Sequence, residues 1–135
     1  GGAGARATRF SKDAEYLATA DDEMCLVVQV ENEAGLDALD DLLLIEGVDA
    51  VFIGPSDLSA NMGHIGNPGA PEVFAAVDDA LDRIAASDKA SGIMALDPAA
   101  AKAYLDRGVD FVAVSIDART LALSLRALAA EMRDR

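Results

Sequence analysis

Four short apolar runs punctuate the chain: Leu26–Val30, Ala50–Ile53, Gly92–Ala95 and Phe111–Ser115. Each is nearly continuous in apolar character, the pattern of a strand buried on both faces. Between and after them lie stretches with apolar residues at helical spacing: Glu33–Leu44, Pro71–Ala86, Pro98–Arg107 and Ala118–Arg133. Asp97-Pro98 reads as an N-cap followed by proline at the first helical position, and Gly108 as a helix stop. The opening GGAGARATRF predicts a Gly-rich loop, with a helix following from about Asp13 to Ala20.

One pattern occurs twice. EGVDAVFIG at Glu46–Gly54 returns as RGVDFVAVS at Arg107–Ser115. Two βα units of about 30 residues each account for the spacing. Repeated βα units predict a parallel sheet with right-handed crossovers. Two architectures satisfy this: an open doubly wound sheet, or part of a closed (β/α)8 barrel, which needs about 250 residues. With 135 residues, the chain would supply half of such a barrel. In both folds the ligand site lies at the carboxyl ends of the strands.

Composition narrows the function classes. Apolar residues make up 52% of the chain but aromatic ones only 4%, so the core is built from Ala, Val, Leu and Ile. The formal net charge is −13, which argues against nucleic acid or an anionic membrane as a partner. Acidic residues recur along helical segments such as EAGLDALDD and AAVDDALDR, as expected of a solvated face, and would suit a salt-rich cytoplasm. No apolar run is long enough to span a bilayer and no signal peptide is evident, so a soluble, cytoplasmic protein is expected. The single Cys25 lies in an apolar run; a buried thiol is expected, and no internal disulfide can form.

Two strand ends carry carboxylates, Glu31 and Asp57. Gln29 and Glu31 are two apart, so they share a face at the end of one strand. If the next strand is its parallel neighbour, about 4.8 Å away, Asp57 reaches the same spot. Adjacent carboxylates repel, and a proton or a cation relieves the repulsion; hard oxygen donors suit Mg²⁺ or Mn²⁺. Helix capping is the competing explanation. It fits Asp97 and Asp117, which directly precede helices, better than Glu31, because Asn32 is the better cap there. In GPSD, Gly54 and Pro55 predict a tight turn, leaving the Ser56 and Asp57 amides free to meet an anion. His64, the only histidine, lies in a Gly- and Pro-rich loop and has no partner histidine. Lys12, Lys89 and Lys102 fall on or beside helices, which leaves a Schiff-base mechanism without a candidate.

MCLVVQVEN, EGVDAVFIGPSDLSANMGHIGNPGAPEV and GVDFVAVSIDARTLA closely resemble the HpcH/HpaI aldolases, metal-dependent aldolases of 2-oxo acids related to the citrate lyase β subunit. The resemblance covers nearly the whole chain. It implies the second half of a TIM (β/α)8 barrel, strands five to eight, over residues 1–135. It also implies that Glu31 and Asp57 ligate Mg²⁺, Mn²⁺ or Co²⁺, that Gln29 lies beside the 2-oxo acid, and that the Ser56-Asp57 backbone holds the pyruvate carboxylate. The implied reaction is reversible cleavage of a 4-hydroxy-2-oxo acid to pyruvate and an aldehyde. A citrate-lyase-like or malyl-CoA-type lyase, or a non-catalytic half-barrel assembly partner, are the alternatives. The family's catalytic arginine and histidine belong to the other half of the barrel, and neither Arg6 nor Arg9 matches them. The chain is therefore expected to be a fragment, a split-gene product or one half of an assembly, active only with the missing N-terminal half or in an oligomer.

The charge gives a first prediction. Salt screens self-repulsion, so the thermal midpoint should rise between low and molar KCl; a flat or falling midpoint would show that the acidity serves something else.

Overall fold

Burying the four apolar runs without orphaning their backbone amides requires a sheet, and the helix-length connections require it to be parallel. The computed structural model describes residues 4–133 and contains that sheet. Its strands are β1 (Val27–Val30), β2 (Ala50–Ile53), β3 (Ala90–Met94) and β4 (Phe111–Ala113), in the order β1-β2-β3-β4, each parallel to the next. The helices are α1 (Tyr16–Thr19), α2 (Glu33–Asp37), α3 (Leu39–Leu43), α4 (Pro55–Asn61), α5 (Pro71–Ala85), α6 (Pro98–Arg107) and α7 (Asp117–Arg133). Successive strands are always neighbours, as in a half-turn of a βα barrel; a doubly wound sheet reverses its order at a switch point. No helix among the described residues is long and apolar enough to cross a membrane.

Register assigns the two faces. Val28, Val30, Val51, Ile53, Ser91, Ile93 and Val112 share one face, and the helices cover it. Leu39 and Leu43 of α3, Leu58 of α4, and Val73, Val77, Leu81 and Ile84 of α5 complete this core. The α5 positions recur at helical spacing, so one stripe of that helix packs on the sheet. Each fully buried Val, Leu or Ile contributes about 1.5–3 kcal/mol of transfer free energy, which makes this layer the principal source of stability. Arginines tie the helices together outside it. Arg83 donates from Nε to Asp40 (2.9 Å) and from Nη1 to the Leu36 carbonyl (3.2 Å), and Arg107 on α6 pairs with Asp78 and Asp82 of α5. Part of the acidic face is thus ion-paired rather than merely solvated.

The other face carries Gln29, Phe52, Gly92 and Phe111 in one row. A Cβ on Gly92 would lie 2.3 Å from Phe111 Cζ, so the glycine makes room for that ring, which sits 5.6 Å from Phe52 between centroids. Of the strands, only β2 is buried throughout; Val27 is 41% and Phe111 38% exposed. The expectation of burial on both faces therefore fails at the edge strands, where no second layer covers the inner face among the described residues.

Other expectations shift locally. The 33–44 helix breaks at Ala38 into α2 and α3. The expected Asp13–Ala20 helix shrinks to the single turn of α1. It follows a left-handed turn at Arg9, Phe10 and Ser11, in which the Ser11 amide donates to Thr8 Oγ1 (3.0 Å). The first three residues of the Gly-rich stretch lie outside the described residues. Cys25 is exposed, not buried, because β1 starts two residues after it at an uncovered sheet edge. Gly54-Pro55 forms no separate tight turn; Gly54 is the N-cap and Pro55 the first residue of α4. Asp97 caps α6 as expected, accepting from the Ala100 amide at 2.8 Å, and Gly108 ends it with φ 100°. Asp117 is not the N-cap of α7 but its first residue, and it accepts from the adjacent Ala118 amide.

The repeated GVD has a structural explanation. Val48 and Val109 are buried, and each aspartate reaches the start of the preceding neighbour strand. Asp49 accepts from the Leu26 amide (2.6 Å), whereas Asp110 accepts from the Ser91 amide (2.7 Å) and hydroxyl (2.9 Å). Those bonds from Ser91, backbone first and side chain second, hold the Asp110 carboxyl below its ordinary pKa, outweighing a small desolvation cost. A depressed folded-state pKa gives stability that is present above the unfolded value, about 3.9, and is lost as pH falls through the folded value. Asp110→Ala should cost about 1 kcal/mol at pH 7, since water can replace part of an exposed partner. In urea denaturation the gap from the parent should close as pH drops below about 3.9; a pH-independent gap would mean that the carboxylate charge is not what holds the latch.

Candidate functional site

Above the Gln29–Phe52–Gly92–Phe111 row, the same register continues at the carboxyl end of the sheet with Glu31, Gly54, Met94 and Ala113. The Gly54 amide donates to the Val30 carbonyl (3.0 Å), extending the ladder one residue beyond β2. Glu31 lies across Gly54: a Cβ there would sit 3.1 Å from Glu31 Cβ and 3.3 Å from its Oε2. The glycine is thus the cradle in which the half-buried carboxylate rests. Asp57 follows three residues later, exposed in the first turn of α4.

Neither carboxylate is spent on a cap. Asn32 caps α2, accepting from the Gly35 amide at 2.7 Å, and α4 has no side-chain cap bond at its start. Gly54 is the N-cap of α4, so the Ser56 and Asp57 amides fall in its first turn, where helix geometry supplies no carbonyl partner. Gln29 is exposed on the inner face one residue pair below Glu31. The Phe52–Phe111 pair forms an apolar floor beside it. Gln29 near the end of β1, Glu31 just beyond it, and Ser56 and Asp57 in the first turn of α4 therefore lie toward one end of the sheet. Two hard carboxylate groups, one resting where a side chain at position 54 would intrude, fit a divalent cation in donor type. No group of three or more His, Cys, Asp or Glu gathers around a common point among the described residues.

His64 is turned to a structural contact. Its amide donates to the Ser59 carbonyl (2.7 Å), and Nε2 lies 3.8 Å from Glu72 Oε2 at the start of α5. Arg9 sits in the left-handed turn and Arg6 is exposed beside it. Lys102 is on α6, and Lys89 immediately precedes β3 at the opposite end of the sheet from Glu31. One positioning residue escaped the sequence reading: Asn61, the last residue of α4, accepts from the Glu33 amide at 2.8 Å. It staples the start of α2, two residues past Glu31, to the helix that carries Asp57. No motif marks it, since its role appears only once α4 and α2 are adjacent.

With this geometry in view, the chain can be compared with known proteins. The model of the HpcH/HpaI aldolase/citrate lyase family matches residues 3–123. A hydroxypyruvate/pyruvate aldolase of Pseudomonas aeruginosa is 55% identical over 133 residues, covering 98% of this chain and 50% of the relative. A 4-hydroxy-2-oxo-heptane-1,7-dioate aldolase of Klebsiella pneumoniae is 48% identical over 130 residues, covering 96% and 49%. The crystal structure of an HpcH/HpaI aldolase/citrate lyase family protein from Burkholderia cenocepacia J2315 superposes with a TM-score of 0.89 at 34% identity, covering 98% of this chain and 52% of that one. The chain spans about half the length of the curated relatives it matches.

The cradle is open to test. Gly54→Ala would crowd Glu31, whose side chain must give by a few tenths of an ångström, a cost at the low end of overpacking, about 1 kcal/mol. Urea denaturation measures this; an unchanged midpoint would show that Glu31 is free to leave its place over Gly54.

Proposed function

The chain belongs to the HpcH/HpaI aldolase/citrate lyase family, and from that premise we propose that it forms the metal- and 2-oxo-acid-binding half of an aldolase. The whole enzyme would cleave a 4-hydroxy-2-oxo acid reversibly to pyruvate, or a close relative, and an aldehyde. The observation that carries this is Glu31 lying over Gly54 at the end of the sheet, three residues before Asp57. The names of the relatives, hydroxypyruvate/pyruvate aldolase and 4-hydroxy-2-oxo-heptane-1,7-dioate aldolase, favour an aldolase over a thioester-cleaving lyase.

In this proposal Glu31 and Asp57 hold Mg²⁺, Mn²⁺ or Co²⁺. When bound, the cation supplies Lewis-acid stabilisation of charge on the substrate oxygens. The chain's own groups bind and orient. The first-turn amides of Ser56 and Asp57 receive the carboxylate of the 2-oxo acid, aided by the N-terminal dipole of α4. The Gln29 amide, on the same face as Glu31, borders the bound acid, and the Phe52–Phe111 floor keeps water from beneath it. Proton transfer falls to groups on the complementary half of the barrel, which also covers the open inner face and the β1 and β4 edges. The partners are thus a small 2-oxo acid and the other barrel half, in the cytoplasm.

The experiment is complementation. The chain is expressed alone and with the first half of a related aldolase, and pyruvate release from a 4-hydroxy-2-oxo acid is followed with Mg²⁺ or Mn²⁺ and with EDTA. Cleavage should require the second half and the metal. Glu31→Gln and Asp57→Asn should each lower it at least about a hundredfold, the size of effect expected when charge stabilisation is lost. Full activity in both variants, or strong metal-dependent cleavage by the chain alone, would overturn the proposal.

A further inference from the structure

Two hydrogen bonds bracket Glu31, and both come from the β2–α4 unit. On one side the Gly54 amide, at the N-cap of α4, donates to the Val30 carbonyl (3.0 Å). On the other the Asn61 side-chain oxygen, at the end of α4, accepts from the Glu33 amide (2.8 Å). Glu33 is the first residue of α2, so its amide has no carbonyl partner within that helix. Asn32 takes a different first-turn donor, the Gly35 amide (2.7 Å). Two asparagines thus share the start of α2, one as its own cap and one from the neighbouring helix.

The bond from Asn61 matters because the core holds little of this stretch. Val30 is fully buried, but Glu31 is half-buried and Asn32 and Glu33 are exposed. No residue of α2 is buried; Leu36 packs partly on the core, and Arg83 reaches its carbonyl (3.2 Å). The helix α4 is anchored more firmly. Leu58 and Ser59 are fully buried, and the Ser59 hydroxyl donates to the Ser56 carbonyl (2.7 Å). Asp57 belongs to this anchored helix. Asn61 therefore ties the stretch that carries Glu31 to the element that carries Asp57.

We propose that Asn61 is a positioning residue for the divalent cation: it fixes the backbone around Glu31 relative to Asp57, so that both carboxylates are offered to one ion. The inference rests on the metal-binding function proposed above. Asn61 acts through Glu31 and is not itself a ligand. Small hard cations demand near-ideal geometry from their oxygen donors. Without the Asn61 bond, residues 31–33 would have to be ordered when the cation binds, and that entropy cost would appear as weaker binding. The acceptor oxygen at position 61 is what the role requires; the asparagine nitrogen is not.

The test titrates the full chain with Mn²⁺ and reads the free ion by electron paramagnetic resonance. Molar KCl is present throughout, so that salt screens the charge of any added carboxylate and the acidic helix faces. Asn61→Leu keeps the shape of the side chain and removes the acceptor; Asn61→Asp restores an oxygen in the same place. Urea denaturation of each variant in EDTA shows that binding is read on folded protein. Asn61→Leu should raise the Mn²⁺ dissociation constant about fivefold, the size of effect expected of one exposed hydrogen bond. Asn61→Asp should stay within about twofold of the parent. Asp57→Asn, run alongside, tests the site itself. Weakened binding in Asp57→Asn with parental binding in Asn61→Leu would overturn the role of Asn61 and leave the metal site standing. Equal weakening in Asn61→Leu and Asn61→Asp would overturn that role too, because the acceptor would not be what matters. Parental binding in Asp57→Asn, or no Mn²⁺ bound by the parent, would overturn the metal site and the role of Asn61 with it.

Discussion

The register between β1 and β2 is the constraint on which the rest depends. Val30 pairs with Ile53, so the next residues, Glu31 and Gly54, must also lie side by side as the strands end. Two consequences follow at once. Val30 and Ile53 point into the helical layer and are fully buried, while Glu31 points to the other face, over a residue with no side chain. A slip of one residue would exchange those faces, burying the carboxylate among Leu39, Leu58 and Val73. The free energy of the core thus fixes where the charge goes.

The two faces of the sheet do different work. One is finished: a layer of Val, Leu and Ile sealed by α3, α4 and α5 and clamped outside by Arg83 and Arg107. The other carries the site residues and an aromatic pair but no covering layer among the described residues. Among the described residues both outer strands keep a free edge, and α7 presents Leu121, Leu125 and Leu128 to the surface. These exposed groups match a chain that spans about half of its relatives' length. In a closed barrel the inner face becomes the interior, and the strand ends become the floor of the site.

Most of this order was legible in the sequence. Apolar runs separated by helical stretches specify parallel βα units, and Asn32, Asp97 and Gly108 announce their helix ends by residue type. The errors have two causes. Cys25 and the edge strands were expected to be buried because apolar runs suggest two covered faces, but coverage depends on partners that the run itself does not encode. The left-handed turn at Arg9–Ser11 and the break at Ala38 depend on local hydrogen bonding that periodicity does not register. For the site, Glu31 stood out as a strand-end acid beside a better cap, Asn32, whereas Asp57 was singled out by the family resemblance and not by its spacing. Asn61 did not stand out, because a side chain bonding an amide 28 residues away leaves no local trace. The GVD repeat was visible, yet the reason for its aspartates emerged only with the neighbouring strands in place.

The central claim is that one cation sits between Glu31 and the start of α4. Paramagnetic broadening by substoichiometric Mn²⁺, read on assigned amide resonances, tests it most directly and does not depend on turnover. The account predicts selective broadening at Glu31 and residues 54–57, reversed by EDTA and lost in Asp57→Asn. Broadening centred instead on the acidic face of α5, around Asp78, Asp79 and Asp82, with Glu31 and Asp57 untouched, would contradict it.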